Sequence, residues 1–320
     1  MAADDAATAL AALEGLLGEY RQGNIVALSA ERMGMEQHAG PLTARWDERF
    51  PGFPSDTFPY TSFRGQHYRG RRDSYLKEII VESLGGRGGD ATIIVNPACV
   101  FGRHARNLAS RLPRATVVAT DIDPGWQRLY RLARMGRLPA NYTFVKDDIF
   151  DSHLDLEPTA VVFFGACGAV SDAAIDYAIS RGATFLMCRT CCHDNIGGNV
   201  AITRRPGGVN RFFRFKNWAY GRMRTSARFA GFYFSDRYSP RAYPRSEAAR
   251  DVTTADELLA VARDSADSDI CRAIIDLDRY VHLVEKGFGV LYQGEMFVAE
   301  RKAQTGSSRP AGSLAGRPSA

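Results

Sequence analysis

Acidic residues follow two neighbouring predicted strands of this chain, at the points where the strands end. Asp121 and Asp123 follow the second predicted strand, and Asp148 follows the third. Because Asp121 comes about twenty residues after Gly102, it has the spacing at which a carboxylate binds both hydroxyls of a ribose. Asp148 could accept a hydrogen bond from the amino group of an adenine. These positions, in this order, predict a site for a ligand that contains adenosine.

The loop after the first predicted strand narrows the choice of ligand. Residues 96–103 lead into a helix, an arrangement that presents backbone N–H groups to a ligand. A dinucleotide site would have the pattern Gly-x-Gly-x-x-Gly, whereas this loop has Ala98, Val100 and Gly102. NAD is therefore disfavoured. Phosphate binding of the Gly-x-x-x-x-Gly-Lys-Ser/Thr type is excluded as well, because that pattern is absent from the sequence.

The elements that hold these residues alternate between β and α patterns. Runs rich in Val, Ile and Phe are separated by helical runs of ordinary length, a pattern typical of an α/β fold with a doubly wound, Rossmann-like sheet. The sheet is predicted to be mostly parallel, with an antiparallel edge strand late in the chain, at 290–300. Ligands bind outside the carboxyl ends of such strands. The predicted strands of the core are 92–96, 116–120, 142–145, 160–164 and 184–188.

Other regions of the chain have different patterns. Helices are predicted at 4–21 and 25–35, and they are expected to pair. The segment 38–72 is rich in Pro, Gly and aromatic residues, which indicates a long ordered loop, either a lid over the ligand edge or a structural wrap. The chain is thus divided into N-terminal helices with a lid segment, an α/β domain with an insertion, and a disordered tail: residues 1–72, 73–302 with the insertion at about 204–250, and 303–320.

Composition says more about where the protein is located than about its activity. The net charge of +5 permits an anionic partner without demanding one. A run of about 18 apolar residues is absent, so no membrane span is expected. Asp4 and Asp5 stand where a secretory signal would be basic. The six cysteines lack the spacing of a disulfide framework, which predicts a reduced, cytoplasmic location.

The segment 204–245 is both basic and aromatic. Arg and Lys residues alternate there with Phe, Trp and Tyr. Such a composition can follow a phosphate backbone and stack bases. It also describes an insertion of strands and loops whose aromatic side chains point inward. Both interpretations stay open at this point.

Three further segments resemble one subgroup of the class I S-adenosylmethionine-dependent methyltransferases. In that subgroup the fourth strand ends in His-Ala-Cys-Gly followed by an Asp, and the fifth ends in Cys-Cys-Tyr/His. The matching segments here are Gly165-Ala166-Cys167-Gly168 with Asp172, Cys191-Cys192-His193, and Tyr243-Pro244-Arg245-Ser246. The resemblance covers residues 75–250 approximately. Because the subgroup includes tRNA 2′-O-methyltransferases and proteins of unsettled substrate, it implies the cofactor, S-adenosyl-L-methionine, better than the acceptor.

The resemblance also implies roles for individual residues. The loop from Asn96 to Gly102, with Ala98, would surround the methionine part of the cofactor. The ribose would be held by Asp121 with support from Asp123, and the adenine would be framed by Asp148 and Ile149. The end of the fourth strand would lie beside the sulfonium: Gly165, Ala166 and Cys167. This loop differs from the corresponding loop of the family. The family's loop usually opens with an acidic residue and has glycines where Asn96, Ala98 and Val100 stand. Because β-branched Val100 cannot easily adopt a positive φ, the loop must follow a different path.

Methyl transfer is an in-line displacement, so the protein orients the reactants and, where needed, removes a proton. His193 and Asp194, after the fifth strand, are the candidates for that base, although a His at a strand end can simply be hydrogen-bonded. Asp172 is expected to cap the helix that follows it.

The cysteines allow two other kinds of site. Zinc could be ligated by Cys188, Cys191, Cys192 and His193, but this spacing is crowded for a tetrahedral site, and no metal is predicted. A thiolate at Cys167 or Cys191 could attack a pyrimidine. Packing of small residues beside a cofactor is the favoured interpretation.

The sequence therefore predicts a methyltransferase that acts on a small molecule. Small molecules are preferred to RNA because the charge is modest and no recognised RNA-binding module is attached. RNA is the first alternative as acceptor. A non-catalytic nucleotide-binding or scaffold protein with a degenerate methyltransferase fold is the second alternative, and the altered loop favours it.

Overall fold

The computed structural model describes nine stretches of the chain: residues 2–24, 28–52, 77–85, 92–98, 102–121, 138–191, 243–265, 268–294 and 296–302. Several predicted features lie outside them. These are most of the lid segment, the segment 204–242 and the tail at 303–320.

A seven-stranded sheet forms the centre of the molecule. Its strands are β1 Ile93–Asn96, β2 Thr116–Asp121, β3 Tyr142–Lys146, β4 Ala160–Cys167, β5 Phe185–Cys191, β6 Phe288–Gln293 and β7 Met296–Arg301. Their order is β3-β2-β1-β4-β5-β7-β6. The first five strands pair in parallel, and β7 runs antiparallel to both β5 and β6. The predicted fold class, a mostly parallel α/β sheet with an antiparallel strand late in the chain, is confirmed.

The late strand is more complex than its sequence pattern indicates. One strand was expected at 290–300, whereas the structure has the hairpin of β6 and β7, with a turn at Gly294. The positive φ of 28° at Gly294 explains the difference, because glycine reverses the chain there without steric cost. The antiparallel strand β7 lies next to β5, and β6 occupies the outermost position.

Helices cover the sheet. They are α1 Ala2–Arg21, α2 Leu28–Arg49, α3 at 77–85, α4 Arg103–Arg111, α5 Ala169–Ser180, α6 Ala255–Asp264 and α7 Asp269–Glu285, with 3-10 turns at Ile149–Asp151 and Ala248–Asp251. Thr254 and Ser268 cap α6 and α7, since each hydroxyl accepts a backbone N–H of the first turn. None of the described helices is both long and apolar enough to cross a membrane.

The prediction for the second helix was wrong at its carboxyl end. Instead of stopping near residue 35, α2 continues to Arg49 through a region expected to be loop. Pro41 suggested a break, yet it is exposed within the helix. The physical reason is burial: Leu42 and Trp46, one helical turn apart, are 1% and 0% exposed. Their packing outweighs the local cost of the proline.

The two faces of the sheet carry two apolar cores. One face packs against α1, α5, α6 and α7, and the other against α3 and α4. Successive residues of one strand point to opposite cores, as Val161 and Val162 of β4 do. The helix α2 reaches both cores, through Leu42 on one side and Trp46 on the other. Helices on both faces are what a doubly wound sheet requires.

The helix α7 is buried almost all round. The elements α1, α2, α6 and β6 all pack against it. Consequently Asp276, Asp278 and Arg279 are at most 1% exposed. Charged groups at such positions need charged or hydrogen-bonding partners inside the protein.

Candidate ligand edge and buried ion cluster

The strand order reverses at β1. On one side of β1 lie β2 and β3, and on the other lie β4 and β5. In open α/β sheets, ligands bind in the crevice outside the carboxyl ends of the strands at this reversal. The structure brings the described candidates to this ligand edge. They are Asn96, Ala98, Gly102, Asp121, Asp148, Ile149, Gly165, Ala166 and Cys167.

The loop after β1 has an unusual backbone. Asn96 is 3% exposed, and its side-chain N–H donates to the carbonyl of Val162, which ties β1 to β4. Ala98 has a positive φ of 48°, and Gly102, with φ 60°, precedes α4. A left-handed conformation costs a residue with a Cβ about 1–2 kcal/mol, which a glycine would avoid. The loop therefore keeps a strained turn at Ala98. The path expected for Val100 lies outside the described residues.

Asp121 and Asp148 stand on adjacent strand ends. Asp121 is the last residue of β2 and is 9% exposed. Its carbonyl accepts the N–H of Asp147 at 3.1 Å, which joins the end of β2 to the chain leaving β3. The Asp148 carboxylate accepts the N–H of Phe150 at 3.1 Å and caps the 3-10 turn. Ile149, in that turn, is 7% exposed and belongs to the apolar core.

The end of β4 is irregular at the predicted sulfonium position. The pairing of β4 with β5 shifts register between Phe164 and Ala166, so Gly165 lies in a β-bulge. Gly168, which precedes α5, has φ 53° and ψ −123°, a conformation that favours glycine. Bulges are over-represented next to functional sites because they redirect the residues that follow.

Three predicted site residues, Asp123, His193 and Asp194, lie outside the described residues, so their roles stay predictions.

For the zinc hypothesis, Cys188 is informative: it is completely buried, and burial raises the pKa of its thiol well above the ordinary value. Its side chain is part of the apolar core, which favours packing over zinc ligation. Within the part of the chain that the structure describes, no three His, Cys, Asp or Glu side chains converge as a metal site would require.

An ion cluster beside the β4–α5 turn was missed by the sequence analysis. The prediction that Asp172 caps α5 is wrong, because Gly168 occupies the cap position and Asp172 lies inside the helix. The cluster joins residues from four parts of the chain: Asp172, Thr190, Tyr243, Arg245, Asp276, Asp278 and Arg279. The available signal was the group of three charged residues at 276, 278 and 279, which lies among the regularly spaced apolar residues Ile270, Ile274, Leu277 and Val281.

Arg279 is the centre of the ion cluster. Its Nε and Nη2 donate to the two carboxylate oxygens of Asp172 at 2.8 and 3.1 Å. Its Nη1 donates to Asp276 at 2.9 Å, and its Nη2 also lies 3.3 Å from the carbonyl oxygen of Gly168. A guanidinium matches this set because its donors form a planar fork.

Asp172 is held ionised by its neighbours. Burial alone would raise its pKa, but the guanidinium groups of Arg279 and Arg245 outweigh burial and lower the pKa of Asp172 below its ordinary value. Arg245 Nη1 lies 3.3 Å from the same carboxylate. The hydroxyl of Tyr243 donates to it as well. Burial, followed by the charge of Asp172, raises the pKa of Tyr243, so this hydroxyl keeps its proton.

Asp278 anchors the backbone of the 243–246 segment. Its two carboxylate oxygens accept the N–H groups of Arg245 and Ser246, at 2.9 and 3.0 Å. Burial raises the pKa of Asp278 to about 6, despite these two hydrogen bonds. The folded state therefore binds this proton more tightly than the unfolded state, whose Asp has a pKa of 3.8. The contribution of Asp278 to stability is greatest below pH 4 and is lost as the pH rises through about 6.

We expect this loss to show in a comparison with Asp278→Asn. The free energy of unfolding of the wild-type protein, minus that of the variant, should fall by up to roughly 3 kcal/mol between pH 4 and pH 7.5. Urea titrations across this range measure it. The exposed Asp155→Asn serves as the control for the loss of one surface carboxylate. A pH-independent difference for Asp278→Asn would contradict the raised pKa.

Scans of the sequence with protein-family models find no match, and a search of curated proteins finds none either. Three solved structures illustrate the structural similarity found. DesVI of Streptomyces venezuelae is 17% identical over 38% of this chain, with a TM-score of 0.30. The 23S rRNA methyltransferase ErmE is 18% identical over 38%, with a TM-score of 0.29. CalS10, an amino pentose methyltransferase from Micromonospora echinaspora solved with S-adenosylmethionine bound, is 19% identical over 41%, with a TM-score of 0.30.

These similarities are partial in both directions. This chain spans 52% of DesVI, 45% of ErmE and 57% of CalS10, about half the length of each. Similarity at this level transfers no function to the chain. The fold is defined by its own strand order and register.

Proposed function

We propose that this chain is an S-adenosylmethionine-dependent methyltransferase. The observation that carries the proposal is the position of Asp121, at the carboxyl end of β2, beside the β1–α4 loop where the strand order reverses. A carboxylate there can accept two hydrogen bonds from a ribose. The antiparallel strand late in the chain also agrees with the methyltransferase sheet that the sequence resembles.

The residues at the ligand edge fit the parts of this cofactor. The loop from Asn96 through Ala98 to Gly102 leads into α4. The first backbone N–H groups of α4 would attract the carboxylate of the methionine part of the cofactor. Asp121 would bind the ribose, with Asp123 in support. Asp148 and Ile149 would frame the adenine. The bulged end of β4 would lie beside the sulfonium: Gly165, Ala166 and Cys167.

S-adenosyl-L-methionine, when bound, supplies an electrophilic methyl group on its sulfonium. The chain would then hold the acceptor in line with that methyl group, which lowers the entropic cost of the displacement. His193 or Asp194 would take the proton from an acceptor that has to lose one. The favoured acceptor is a small molecule, because the net charge of +5 is modest.

Calorimetry with S-adenosylmethionine and with its demethylated product, S-adenosylhomocysteine, tests this proposal. A catalyst should bind both compounds at one site, because the product leaves from the site that the donor enters. A non-catalytic protein with a degenerate loop should bind neither. Failure of both to bind at millimolar concentration would reject the proposal.

RNA is the second candidate for the acceptor. Residues 204–245 contain eleven Lys and Arg against one Asp, and eleven aromatic side chains. Thr190 and Tyr243, on either side of the segment 192–242, both belong to the ion cluster next to the ligand edge. If RNA binds through its phosphates, affinity for a tRNA probe should fall steeply between 50 and 200 mM salt, by about a thousandfold for six phosphate contacts. A small-molecule enzyme should show no such binding.

A further inference from the structure

We propose that Arg279 is a positioning residue for methyl transfer, which fixes the carboxyl ends of β4 and β5 relative to each other. The inference rests on the proposed function, since it assigns these two strand ends to the reacting side of the site. Arg279 itself is 1% exposed and belongs to α7, behind the ligand edge. It would act through the backbone of β4 and β5, without touching the reactants.

On the β4 side, Arg279 holds the turn that follows the bulge. Its Nη2 lies 3.3 Å from the carbonyl oxygen of Gly168, and its guanidinium forms a two-pronged ion pair with Asp172 in the first turns of α5. Glycine can adopt many backbone conformations, so the one observed at Gly168 needs contacts that hold it in place. The contacts of Arg279 on both sides of this turn, at positions 168 and 172, supply that support.

On the β5 side, Arg279 acts through Asp276. The carboxylate of Asp276 accepts from Nη1 of Arg279 at 2.9 Å. It also accepts from the hydroxyl of Thr190, with distances of 3.0 and 3.2 Å to its two oxygens. Thr190 is completely buried and immediately precedes Cys191, the last residue of β5. One guanidinium therefore connects the ends of two neighbouring strands.

The chain also returns to the ion cluster at Tyr243. Its hydroxyl donates to Asp172, and Arg245 pairs with the same carboxylate. The ion cluster therefore contains Thr190, which lies just before the segment 192–242, and Tyr243, which follows it. A displacement of Arg279 would loosen both connections together with the β4–α5 turn.

Energetics argue that this cluster serves more than general stability. Burying a guanidinium and several carboxylates is costly, and well-packed apolar residues of similar volume are often equally stabilising or better. What a fully satisfied network of directional bonds adds is a defined geometry. That geometry lies at the two strand ends where the proposed function requires it.

The same helix contains a matched control. Two turns before Arg279, Arg272 forms the same kind of i,i+3 ion pair, with Asp269 at 2.7 Å, and is 6% exposed. Its Nε donates to the carbonyl of Ser265, just after α6. Arg272 thus shares the burial, the charge and the i,i+3 ion pair of Arg279. What distinguishes Arg279 is its ion pair with Asp172, its contact with the carbonyl of Gly168 and its link through Asp276 to Thr190.

The test compares Arg279→Lys with Arg272→Lys in the full chain. Lysine keeps the charge, but its three donors sit on one nitrogen and cannot reproduce the four hydrogen bonds that the guanidinium makes to Asp172, Asp276 and the carbonyl of Gly168. We expect both variants to lose stability in urea, and Arg279→Lys to lose more, because Arg279 pairs with both Asp172 and Asp276. Only Arg279→Lys should weaken binding of S-adenosylmethionine at least tenfold and accelerate amide hydrogen exchange at residues 164–168. Equal affinities and equal exchange in the two variants would overturn the proposal.

Substitutions at Thr190 provide a milder test that preserves the fold. Thr190→Val removes the hydroxyl that binds Asp276 with almost no change of volume, and Thr190→Ser keeps it. We expect faster exchange at 164–168 in Thr190→Val and wild-type exchange in Thr190→Ser. Identical exchange in both would count against the link through Asp276.

The two proposals fail in different ways. If the wild-type protein binds neither S-adenosylmethionine nor S-adenosylhomocysteine, the proposed function is rejected. The exchange measurements then decide the positioning role alone, because they need no ligand. Accelerated exchange at the β4 end in Arg279→Lys but not in Arg272→Lys would support it, and unchanged exchange would reject it.

Discussion

Asp121→Ala is expected to weaken the binding of S-adenosylmethionine about a hundredfold. In the proposed complex the carboxylate accepts two hydrogen bonds from the ribose. Hydrogen bonds to charged groups contribute about 1.5–3 kcal/mol each, so losing both costs roughly 3 kcal/mol or more, which corresponds to a factor of about 100 in Kd. Isothermal calorimetry at one salt concentration measures this change. S-adenosylhomocysteine should lose affinity equally, since it has the same ribose.

The control is Asp155→Ala, which removes an exposed carboxylate from the connection that leads into β4. It should leave both affinities unchanged. Circular dichroism and urea titration of Asp121→Ala establish that the sheet is intact, because Asp121 is buried at the end of β2. A folded Asp121→Ala protein with wild-type affinity would remove Asp121 from the ribose position.

Asp172→Asn should lower the free energy of unfolding by about 3–5 kcal/mol, the usual effect of removing one partner of a buried ion pair. The variant leaves Arg279 and Arg245 with less negative charge around them, and both are at least nine-tenths buried. Urea titration at pH 7 measures this loss. Asp176→Asn is the matched control. Asp176 lies on the same helix as Asp172 and also pairs with Arg245. Because the side chain of Asp176 is 45% exposed, the expected loss of stability is below about 1 kcal/mol.

The effect of Asp172→Asn should also depend on pH. Since the pKa of Asp172 is lowered in the folded state, its contribution to stability is present above the unfolded pKa of 3.8 and is lost as the pH falls through the folded pKa. The difference between wild type and variant should therefore be largest near neutral pH and shrink in acid. A constant difference from pH 7 to pH 2 would show that packing, rather than charge, accounts for the loss.

Local patterns were enough to predict the sheet and its ligand edge. Strands with Val and Ile on both faces, separated by helices, leave few alternatives to a parallel sheet. Once the strands are known, Asp121 and Asp148 have to lie on one edge, because side chains at the ends of adjacent parallel strands are neighbours. The structure agrees with that inference. The ribose and adenine roles of these residues await the binding experiments.

Features that depend on distant contacts could not be predicted in this way. Asp172 looked like a helix cap because capping depends on nearby residues only, whereas its partner Arg279 is 107 positions away. The continuation of α2 past Pro41 was missed for the same reason. The proline is a local signal, and the burial of Trp46 against the sheet is a tertiary one. In both cases tertiary packing overrode a local preference.

The packing of α1 on α7 has a consequence for how the protein is made. Leu13, Leu16 and Leu17 of α1 are fully buried in the same core as α7, which is about 250 residues further along the chain. Arg21, at the end of α1, also pairs with Glu257 at 2.7 Å. During synthesis the first helix therefore emerges long before the surface that covers it. Its leucines stay in contact with water or chaperones until α7 has been synthesised, so biogenesis should be most vulnerable to aggregation in that interval.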